Sequence, residues 1–374
     1  MIVAEIFILI IYRSSVFNRL PDDKFTFWYN TSRDLKLYLK PNSSTFIQKP
    51  SRAMEPTDLL IMVCSATNNF NQRTAIRSTW GNMDKLNFSK FFEIVQKKNL
   101  HKYMVMEPDA PYPKFRLGSV KRYYEYLLMS SRRDEVDETF LTSNFSRNWN
   151  QGVKVRVLFV LGLPNGNESL QNEILAENMQ YGDIIQEDFI DSFKNLSIKV
   201  GMMLKWISNN CRNKTKFILK SDDDVYLNLY KLLYKLNYFQ EPSKLLMGSR
   251  FRGMKPVKNG RSKYYTPRYM YNSTVFPNYL SGPLYLMTPE TALALYETAL
   301  NTPLFNLEDI YYTGICANLA QIPVVHSKVF LSYEDLMFHC PFSYYIGTHN
   351  LKAPYIYKLS EMCDLSKIDE ELIN

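Results

Sequence analysis

The sequence has no CxxC pair, no internal repeat and no low-complexity segment. Its five cysteines are widely separated, so a zinc ribbon is not expected, and their odd number leaves at least one free thiol or an intermolecular bridge. The net charge is +8, but the lysines and arginines are spread along the chain, and no nucleic-acid-binding motif is present. We therefore expect neither a zinc ribbon nor a nucleic-acid partner.

The sequence also lacks a clear membrane-spanning or secretory-signal segment. Residues 1–12 are apolar except for Glu5, but about 12 residues are too few for a spanning helix, which needs about 20. No Lys or Arg precedes this stretch, no small-residue cleavage site follows it, and Arg13 lies on its C-terminal side. A signal anchor whose cytosolic start is missing would explain these features, and we interpret the stretch as the remnant of one.

What the sequence does contain is enough apolar material for a full core. Of its 374 residues, 46% are hydrophobic and 22% are charged, which is typical of a globular protein. Asn-x-Ser/Thr sequons are frequent and favour a protein of the secretory pathway, with an asparagine-rich cytosolic protein as the alternative. These sequons begin at Asn30, Asn42, Asn87, Asn144, Asn167, Asn195, Asn213 and Asn272.

The rest of the chain divides by composition into three parts. Residues 13–56 are polar, with scattered prolines and little periodicity, and predict a stem or linker. Residues 57–358 predict the folded domain, with an irregular insertion at about 82–152. Residues 359–374 are interpreted as a C-terminal tail.

Apolar strands and amphipathic helices alternate within the predicted domain. Short apolar runs at residues 58–66, 153–163 and 216–220 predict buried strands. Helical segments follow the last two runs, at about 169–179 and 227–238. This alternation predicts an α/β fold with a mostly parallel central sheet flanked by helices, in which ligands bind at the carboxyl ends of the strands.

Three adjacent carboxylates, Asp222–Asp224, directly follow the strand predicted at residues 216–220. Like charges this close repel one another, so something must compensate for them. An Asp-x-Asp pattern suits Mg²⁺ or Mn²⁺, which take one or two carboxylates together with the phosphates of a substrate. The alternatives are a solvated acidic turn and a cap on the next helix.

Six segments occur in a recognisable order: RTAIRSTWG, VLFVLG, YGDIIQEDFIDSFKNLSIK, FILKSDDDVYLN, YLSGPLYLM and LEDIYYTGICA. Together they resemble the β-1,3-galactosyltransferase family, glycosyltransferase family 31, over about residues 58–345. The resemblance implies a GT-A-type nucleotide-sugar transferase fold, a UDP-sugar donor, and Mn²⁺ or Mg²⁺. It also implies inverting transfer by a domain in the Golgi lumen, on a single-pass type II anchor in the Golgi membrane.

The resemblance further implies transfer of a hexose in β-1,3 linkage onto a glycan of a glycoprotein or glycolipid, with UDP-galactose as the expected donor. A GlcNAc or GalNAc transferase of the same family is an alternative, and so is a non-catalytic glycan-binding relative. The insertion at 82–152 keeps the second alternative open, as do Pro283 and Leu284, where many members have a second glycine and an aromatic residue. The sequence does not predict an oligomeric state.

The resemblance assigns roles to the three aspartates. Asp224 is the expected direct metal ligand, and Asp222 is expected to face the metal, its waters or the nucleotide ribose. Asp223 is expected to contact the donor sugar or only the local backbone. A late histidine of the family corresponds to His339, which is expected at the metal or the diphosphate, with His326 as its rival. A lone histidine is more often structural, and that alternative stays open.

Further donor contacts are expected from two segments. Arg73 and Arg77 share one helix face, where the family resemblance lets them meet phosphate oxygens, whereas the spacing alone favours an amphipathic surface helix. Asp188 is expected to touch the donor and Lys199 to approach its phosphates. The alternative for the acids around Asp188 is a solvated loop.

The last two segments carry the expected chemistry of the sugar. Inverting transfer is a direct displacement and needs a base that takes the proton of the acceptor hydroxyl. We expect Asp309 to be this base and Glu308 to contact the acceptor or orient the base, unless both acids merely favour a helix start capped by Asn306. At Ser281 and Gly282 the backbone could approach the sugar closely.

Overall fold

The computed structural model describes residues 32–97, 101, 104, 146–149, 152–240, 242–332 and 345–364. The apolar segment 1–12, most of the predicted insertion and His339 lie outside these residues.

Eleven strands are described, and eight of them form one sheet in the order β1-β4-β3-β2-β5-β8-β7-β9. The remaining three form a small sheet in the order β10-β11-β6. The strands are β1 (Phe46–Gln48), β2 (Thr57–Cys64), β3 (Val155–Leu163), β4 (Ile184–Ile190), β5 (Thr215–Asp222), β6 (Tyr226–Leu227), β7 (Leu246–Phe251), β8 (Tyr279–Met287), β9 (Val324–His326), β10 (Leu331–Ser332) and β11 (Gly347–Thr348).

Helices pack on both faces of the large sheet. A π-helical segment, Ile310–Cys316, runs directly into a short α-helix. The α-helices are α1 (Leu35–Leu39), α2 (Phe70–Ser78), α3 (Phe88–Lys97), α4 (Glu168–Tyr181), α5 (Leu196–Asn210), α6 (Leu229–Asn237), α7 (Pro289–Ala299), α8 (Ala317–Leu319) and α9 (Ala353–Met362). None of the helices in the described part of the chain has the length and apolar character needed to cross a membrane.

The centre of the sheet is parallel and buried on both sides. Strand β2 pairs in parallel with β3 and β5, and β3 pairs in parallel with β4. Successive residues of β2 point to opposite faces, so Ile61 joins the core on one side and Met62 the core on the other. Because both faces are covered, these strands read as continuous apolar runs in the sequence. The predicted α/β fold with a mostly parallel central sheet flanked by helices is confirmed.

The folded domain begins earlier than the sequence predicts. Residues 32–56 were predicted to belong to a linker, yet α1 packs its Leu35 and Leu39 into the core, and β1 pairs with β4 at the sheet edge. The ammonium of Lys205, in α5, reaches three backbone carbonyls of residues 39–43 at 2.7–3.2 Å and the Thr45 hydroxyl at 2.9 Å. A short edge strand has no hydrophobic periodicity, which is why the pattern missed it.

The start of the helix after the three aspartates shows whether they cap it. The helix after the three aspartates, α6, is capped by Asn228, whose side-chain oxygen accepts a hydrogen bond from the Lys231 N–H at 3.1 Å. The aspartates therefore do not cap this helix. The chain that follows β11 crosses over them, since the Leu351 N–H donates to the carbonyl of Asp224 at 2.9 Å.

Replacing Lys205 with methionine should destabilise the protein by about 3 kcal/mol, because four acceptors in residues 39–45 lose a charged donor. We expect the midpoint of thermal unfolding to fall by several degrees. Lys214→Met is the matched control, because Lys214 is exposed, and it should leave the midpoint nearly unchanged. Equal shifts in the two variants would show that the ammonium does not anchor the N-terminal segment.

Candidate active site

A cleft of about 700 Å³ opens at the carboxyl ends of β2, β3, β4 and β5. Ligands of open α/β sheets bind at this position. The cleft is lined by Cys64–Asn69, Pro164, Asn165, Asn167, Leu170, Asp191–Phe193, Leu196, Lys199, Asp222–Asp224, Lys263, Tyr264, Gly282, Pro283, Asn306–Asp309, His349 and Asn350.

A buried lysine that the sequence reasoning missed joins the main parts of the cleft. The ammonium of Lys220, which is fully buried, donates to Asp222 at 2.5 Å and to the carbonyl of Gly282 at 2.6 Å, and it lies 3.4 Å from Glu308. Burial alone would lower the pKa of Lys220, but Asp222 and Glu308 raise it above its usual range. A charged residue inside the apolar run FILKS was the signal for this site.

The three aspartates have different surroundings. Asp223 is turned into the protein, where its Oδ2 accepts hydrogen bonds from the Ser65 hydroxyl at 2.6 Å and the Asn69 amide at 2.9 Å. Asp222 is held by Lys220 and keeps about a quarter of its side chain exposed, at 28%. The structure thus fixes Asp223 against the loop after β2, which fits the local-contact alternative for this residue.

Asp224 carries the least compensated charge of the three. Its Oδ1 is buried and has no hydrogen-bond partner among the residues described. Burial, together with the charges of Asp222 and Asp223, raises the pKa of Asp224 to about 7. A cation placed here would remove this penalty.

Among the described residues one histidine lines the cleft, and it is not one of those considered from the sequence. His349 follows β11 and lines the cleft close to Asp222, which acts against the lowering of the His349 pKa by burial. His326, the rival of His339, lies in β9, and its Nδ1 accepts from the backbone N–H of Arg250 at 3.1 Å. His326 does not line the cleft, and only the tertiary fold brings His349 there.

The side chains on this side of the cleft fit a divalent cation. No three His, Cys, Asp or Glu side chains within the described ranges converge into a complete metal cage. Mg²⁺ and Mn²⁺ do not need one, because substrate phosphates and water complete their coordination. Asp224, with its unpaired buried oxygen, and His349 are the residues that could hold the ion, and Asp222 could reach it through water.

Glu308 and Asp309 line the same cleft as the three aspartates. Asp309 accepts from the Ile310 N–H through Oδ1 at 2.8 Å and so caps the π-helical segment, whereas Asn306 does not. Burial raises the pKa of Asp309 to about 6 and that of Glu308 to about 8, although Lys220 opposes both shifts. The cap therefore lies at Asp309 and not, as the alternative expected, at Asn306, and Asp309 Oδ2 takes no part in it.

Gly282 leaves the space that Glu308 occupies. A Cβ at Gly282 would lie 2.8 Å from Glu308 Oε1 and 3.6 Å from Asp309 Oδ2. Any side chain at this position would therefore displace Glu308 and its contact with Lys220. Ser281 is buried in β8 and does not line the cleft, so the predicted close approach to the ligand falls on Gly282 and Pro283 instead.

The predicted phosphate contacts of Arg73 and Arg77 are wrong for this geometry. Arg73 is fully buried and uses all five of its N–H groups on Glu177 and on oxygen atoms of residues 65–67. Arg77 donates to Glu177 at 2.6 Å and to Asp183 at 2.8 Å. Neither arginine lines the cleft. Helical spacing identified their common face but could not show that acids of the protein itself cover it.

The predicted donor contact of Asp188 does not fit the structure either, because a neighbouring acid lines the cleft in its place. Asp188 lies on the outer surface, 46% exposed and 3.2 Å from Lys40, and does not line the cleft. The acid of this segment that does line it is Asp191, which pairs with Lys199 at 2.8 Å. Lys199 is in the cleft as predicted in position, but its ammonium is held by Asp191 and by the Ser65 carbonyl at 2.6 Å. Asp188 lies within β4, whereas Asp191 directly follows the end of that strand.

Comparison with known proteins agrees with this architecture. The sequence model of the family described as galactosyltransferase matches residues 131–328, which include the three aspartates, Gly282, Glu308 and Asp309. This is more than half of the chain. The protein belongs to the galactosyltransferase family.

Two relatives illustrate the range of the family. Human beta-1,3-galactosyltransferase 1 is 32% identical over 213 residues, covering 56% of this chain and 64% of the relative. Human lactosylceramide 1,3-N-acetyl-beta-D-glucosaminyltransferase is 33% identical over 209 residues, covering 54% of each chain. The matches thus span less than two thirds of either relative.

Among solved structures, mouse xyloside xylosyltransferase 1 in its apo form is similar, at 10% identity and a TM-score of 0.30, covering 79% of this chain and 97% of that one. The galactosyltransferase assignment itself comes from the sequence match. His349 lies beyond the matched residues, and so does the loop of residues 65–69 that holds Asp223.

Lys220→Met should destabilise this protein by about 3–5 kcal/mol, because it leaves Asp222, the Gly282 carbonyl and Glu308 without their buried cationic donor. Glu308→Gln should cost less stability in the Lys220→Met background than in the wild type, because the contact between Lys220 and Glu308 is already gone there. Thermal or denaturant unfolding of the two single variants and the double variant measures this coupling. Strictly additive losses would show that Lys220 and Glu308 do not stabilise one another.

Proposed function

We propose that this protein transfers a hexose from a UDP-sugar to a hydroxyl of a glycan, with inversion and with the help of Mn²⁺ or Mg²⁺. The proposed product is a glycan that carries a galactose added in β-1,3 linkage. The observation that carries the proposal is the sharing of one cleft by two acidic sites, Asp222–Asp224 and Glu308 with Asp309. Such transfer needs a cationic site for the leaving diphosphate and a base for the acceptor.

The donor side of the cleft serves the leaving group. A divalent ion bound there would act as a Lewis acid that neutralises the charge developing on the departing diphosphate. Asp224 and His349 would hold it, and the ammonium of Lys220 holds Asp222 in place in the same cleft. The loop after β2 is fixed through Asp223, which keeps this wall of the cleft rigid when the donor binds.

The acceptor side supplies the base. Oδ1 of Asp309 accepts from the Ile310 N–H, so Oδ2 takes the proton of the acceptor hydroxyl. The hydroxyl oxygen of the acceptor meanwhile attacks the anomeric carbon of the donor sugar, and the diphosphate leaves. Burial raises the pKa of Asp309 to about 6, so at neutral pH it is ionised yet more basic than an ordinary carboxylate. The pKa of Glu308 is raised to about 8, so Glu308 is largely protonated at the same pH and does not compete for the role.

Transfer of N-acetylglucosamine is a second candidate. It is favoured by the 33% identity to the human lactosylceramide N-acetylglucosaminyltransferase, which equals the identity to the galactosyltransferase within one per cent. The two candidates share every step above and differ only in the sugar that fills the donor side.

We also propose that the protein works in the Golgi lumen, held by an N-terminal membrane anchor. Cys363 is disulfide-bonded, which suits an oxidising compartment. The sequon asparagines Asn42, Asn87 and Asn272 are exposed, as attachment of a glycan requires.

The function is tested by incubating the purified protein with Mn²⁺ and UDP-galactose, UDP-glucose, UDP-N-acetylglucosamine or UDP-N-acetylgalactosamine, with and without glycan acceptors, and measuring UDP release. We expect acceptor-dependent release that is highest with UDP-galactose, and we expect Asp224→Ala to lose both the activity and its response to Mn²⁺. Asp188→Ala, at an acid outside the cleft, is the control and should remain active. No release with any of the donors would refute the enzyme proposal.

Asp309→Asn should lower the transfer rate by about 10²–10⁴-fold and leave UDP binding in the presence of Mn²⁺ intact, because only the base is removed. The wild-type rate should fall about tenfold per pH unit below pH 6, where a proton occupies Asp309, and level off above it. Rates measured between pH 5 and 8, with UDP affinity from calorimetry, check both effects. Turnover near the wild-type rate in Asp309→Asn would exclude it as the base.

A further inference from the structure

We propose that Asn306 selects the acceptor, by accepting a hydrogen bond from a hydroxyl that neighbours the reacting one. This inference rests on the function proposed above. Asn306 lines the cleft two residues before Glu308, and only 8% of it is exposed.

The amide of Asn306 has a defined orientation and an unused oxygen. Its Nδ2 donates to the carbonyl of Tyr265 at 3.4 Å, so its Oδ1 is turned the other way. That Oδ1 is buried and finds no hydrogen-bond partner in the part of the chain that the structure describes. A buried amide oxygen without a partner is costly, and a ligand that donates a hydrogen bond would remove the cost.

A second unused oxygen lies in the same loop. Glu308 Oε1 faces Lys220, whereas Glu308 Oε2 is buried and, among the described residues, also has no partner. Both atoms belong to residues that line the cleft. A phosphate oxygen cannot satisfy the Asn306 oxygen, because an acceptor does not bind an acceptor. Hydroxyl groups can, and a sugar ring presents them on adjacent carbons.

The loop that Asn306 contacts through Tyr265 suits the rim of a sugar site. Lys263 and Tyr264 line the cleft from the loop between β7 and β8, and both are exposed. The Lys263 ammonium lies 4.8 Å from the ring centre of Tyr264 and 5.4 Å from that of Phe193, another exposed residue of the cleft. Such a surface offers an aromatic face together with a hydrogen-bond donor for hydroxyls.

Asn306 connects this loop to the base. Asn306 donates a hydrogen bond to the carbonyl of Tyr265, which directly follows Lys263 and Tyr264. Along the chain it precedes Glu308 and Asp309 by two and three positions. An acceptor ring between the rim and the base therefore places one hydroxyl at Asp309 and a neighbouring hydroxyl at Asn306. For transfer to a 3-hydroxyl, the neighbour is the 2- or the 4-hydroxyl.

The test compares acceptors that differ by one hydroxyl. The probes are benzyl β-galactoside and benzyl β-N-acetylglucosaminide, whichever the wild type glycosylates, and the corresponding deoxy forms. For the wild type we expect kcat/KM to fall about tenfold when the neighbouring hydroxyl is absent. For Asn306→Ala we expect a similar rise in the acceptor KM with the parent sugar, no further penalty with the deoxy form, and unchanged UDP affinity in the presence of Mn²⁺.

Two controls separate this proposal from a general loss of structure or of function. Asn318→Ala, at an exposed position in α8, should keep the wild-type preference. Asn306→Ser keeps an oxygen at the site and should keep part of the preference even if the alanine variant folds poorly. An active wild type that uses every deoxy acceptor as well as its parent, or a deoxy penalty that persists in Asn306→Ala, would overturn the role of Asn306 alone. A wild type inactive with all donors would overturn the proposed function and this inference with it.

Discussion

The buried ammonium of Lys220 is the contact on which the cleft depends. It joins Asp222 at the end of β5, the Gly282 carbonyl in β8 and Glu308 before the π-helical segment, three parts of the chain that are far apart in sequence. A fully buried cation is stable only where such oxygens replace water, and the buried acids are tolerable only beside such a cation. Asp222 and Glu308 therefore share the one positive charge of Lys220, and neither keeps its position without it.

This shared charge also explains why the acids of the cleft behave differently. Asp222 touches Lys220 at 2.5 Å, while Glu308 is 3.4 Å away and more deeply buried, so its pKa rises to about 8. Asp309 has a backbone donor of its own at Ile310, and its pKa stops at about 6. Neighbouring carboxyl groups with separated pKa values can take separate roles in proton transfer. Gly282 makes the arrangement possible, because any side chain there would push Glu308 off Lys220.

Features that are local in sequence could be predicted, and features made by tertiary packing could not. The buried strands are continuous apolar runs, and the aspartates and the Glu308–Asp309 pair are contiguous, so their place at the cleft followed from the strand order. By contrast, His349 enters the cleft only because β11 pairs with β6 behind the aspartates. The choice between Asp188 and Asp191 depends on where β4 ends, a boundary that patterns locate poorly.

For the two arginines, the sequence predicted the shared helix face correctly but assigned that face the wrong partner. Arg73 binds Glu177 with one part of its guanidinium and the Ser65 hydroxyl, at 3.0 Å, with another. Ser65 in turn donates to Asp223 at 2.6 Å. This chain of contacts runs from α4 to the aspartates through buried groups, where each hydrogen bond is strengthened by the low dielectric. Arg73 therefore acts on the cleft without lining it, because it holds the Ser65 hydroxyl that in turn holds Asp223.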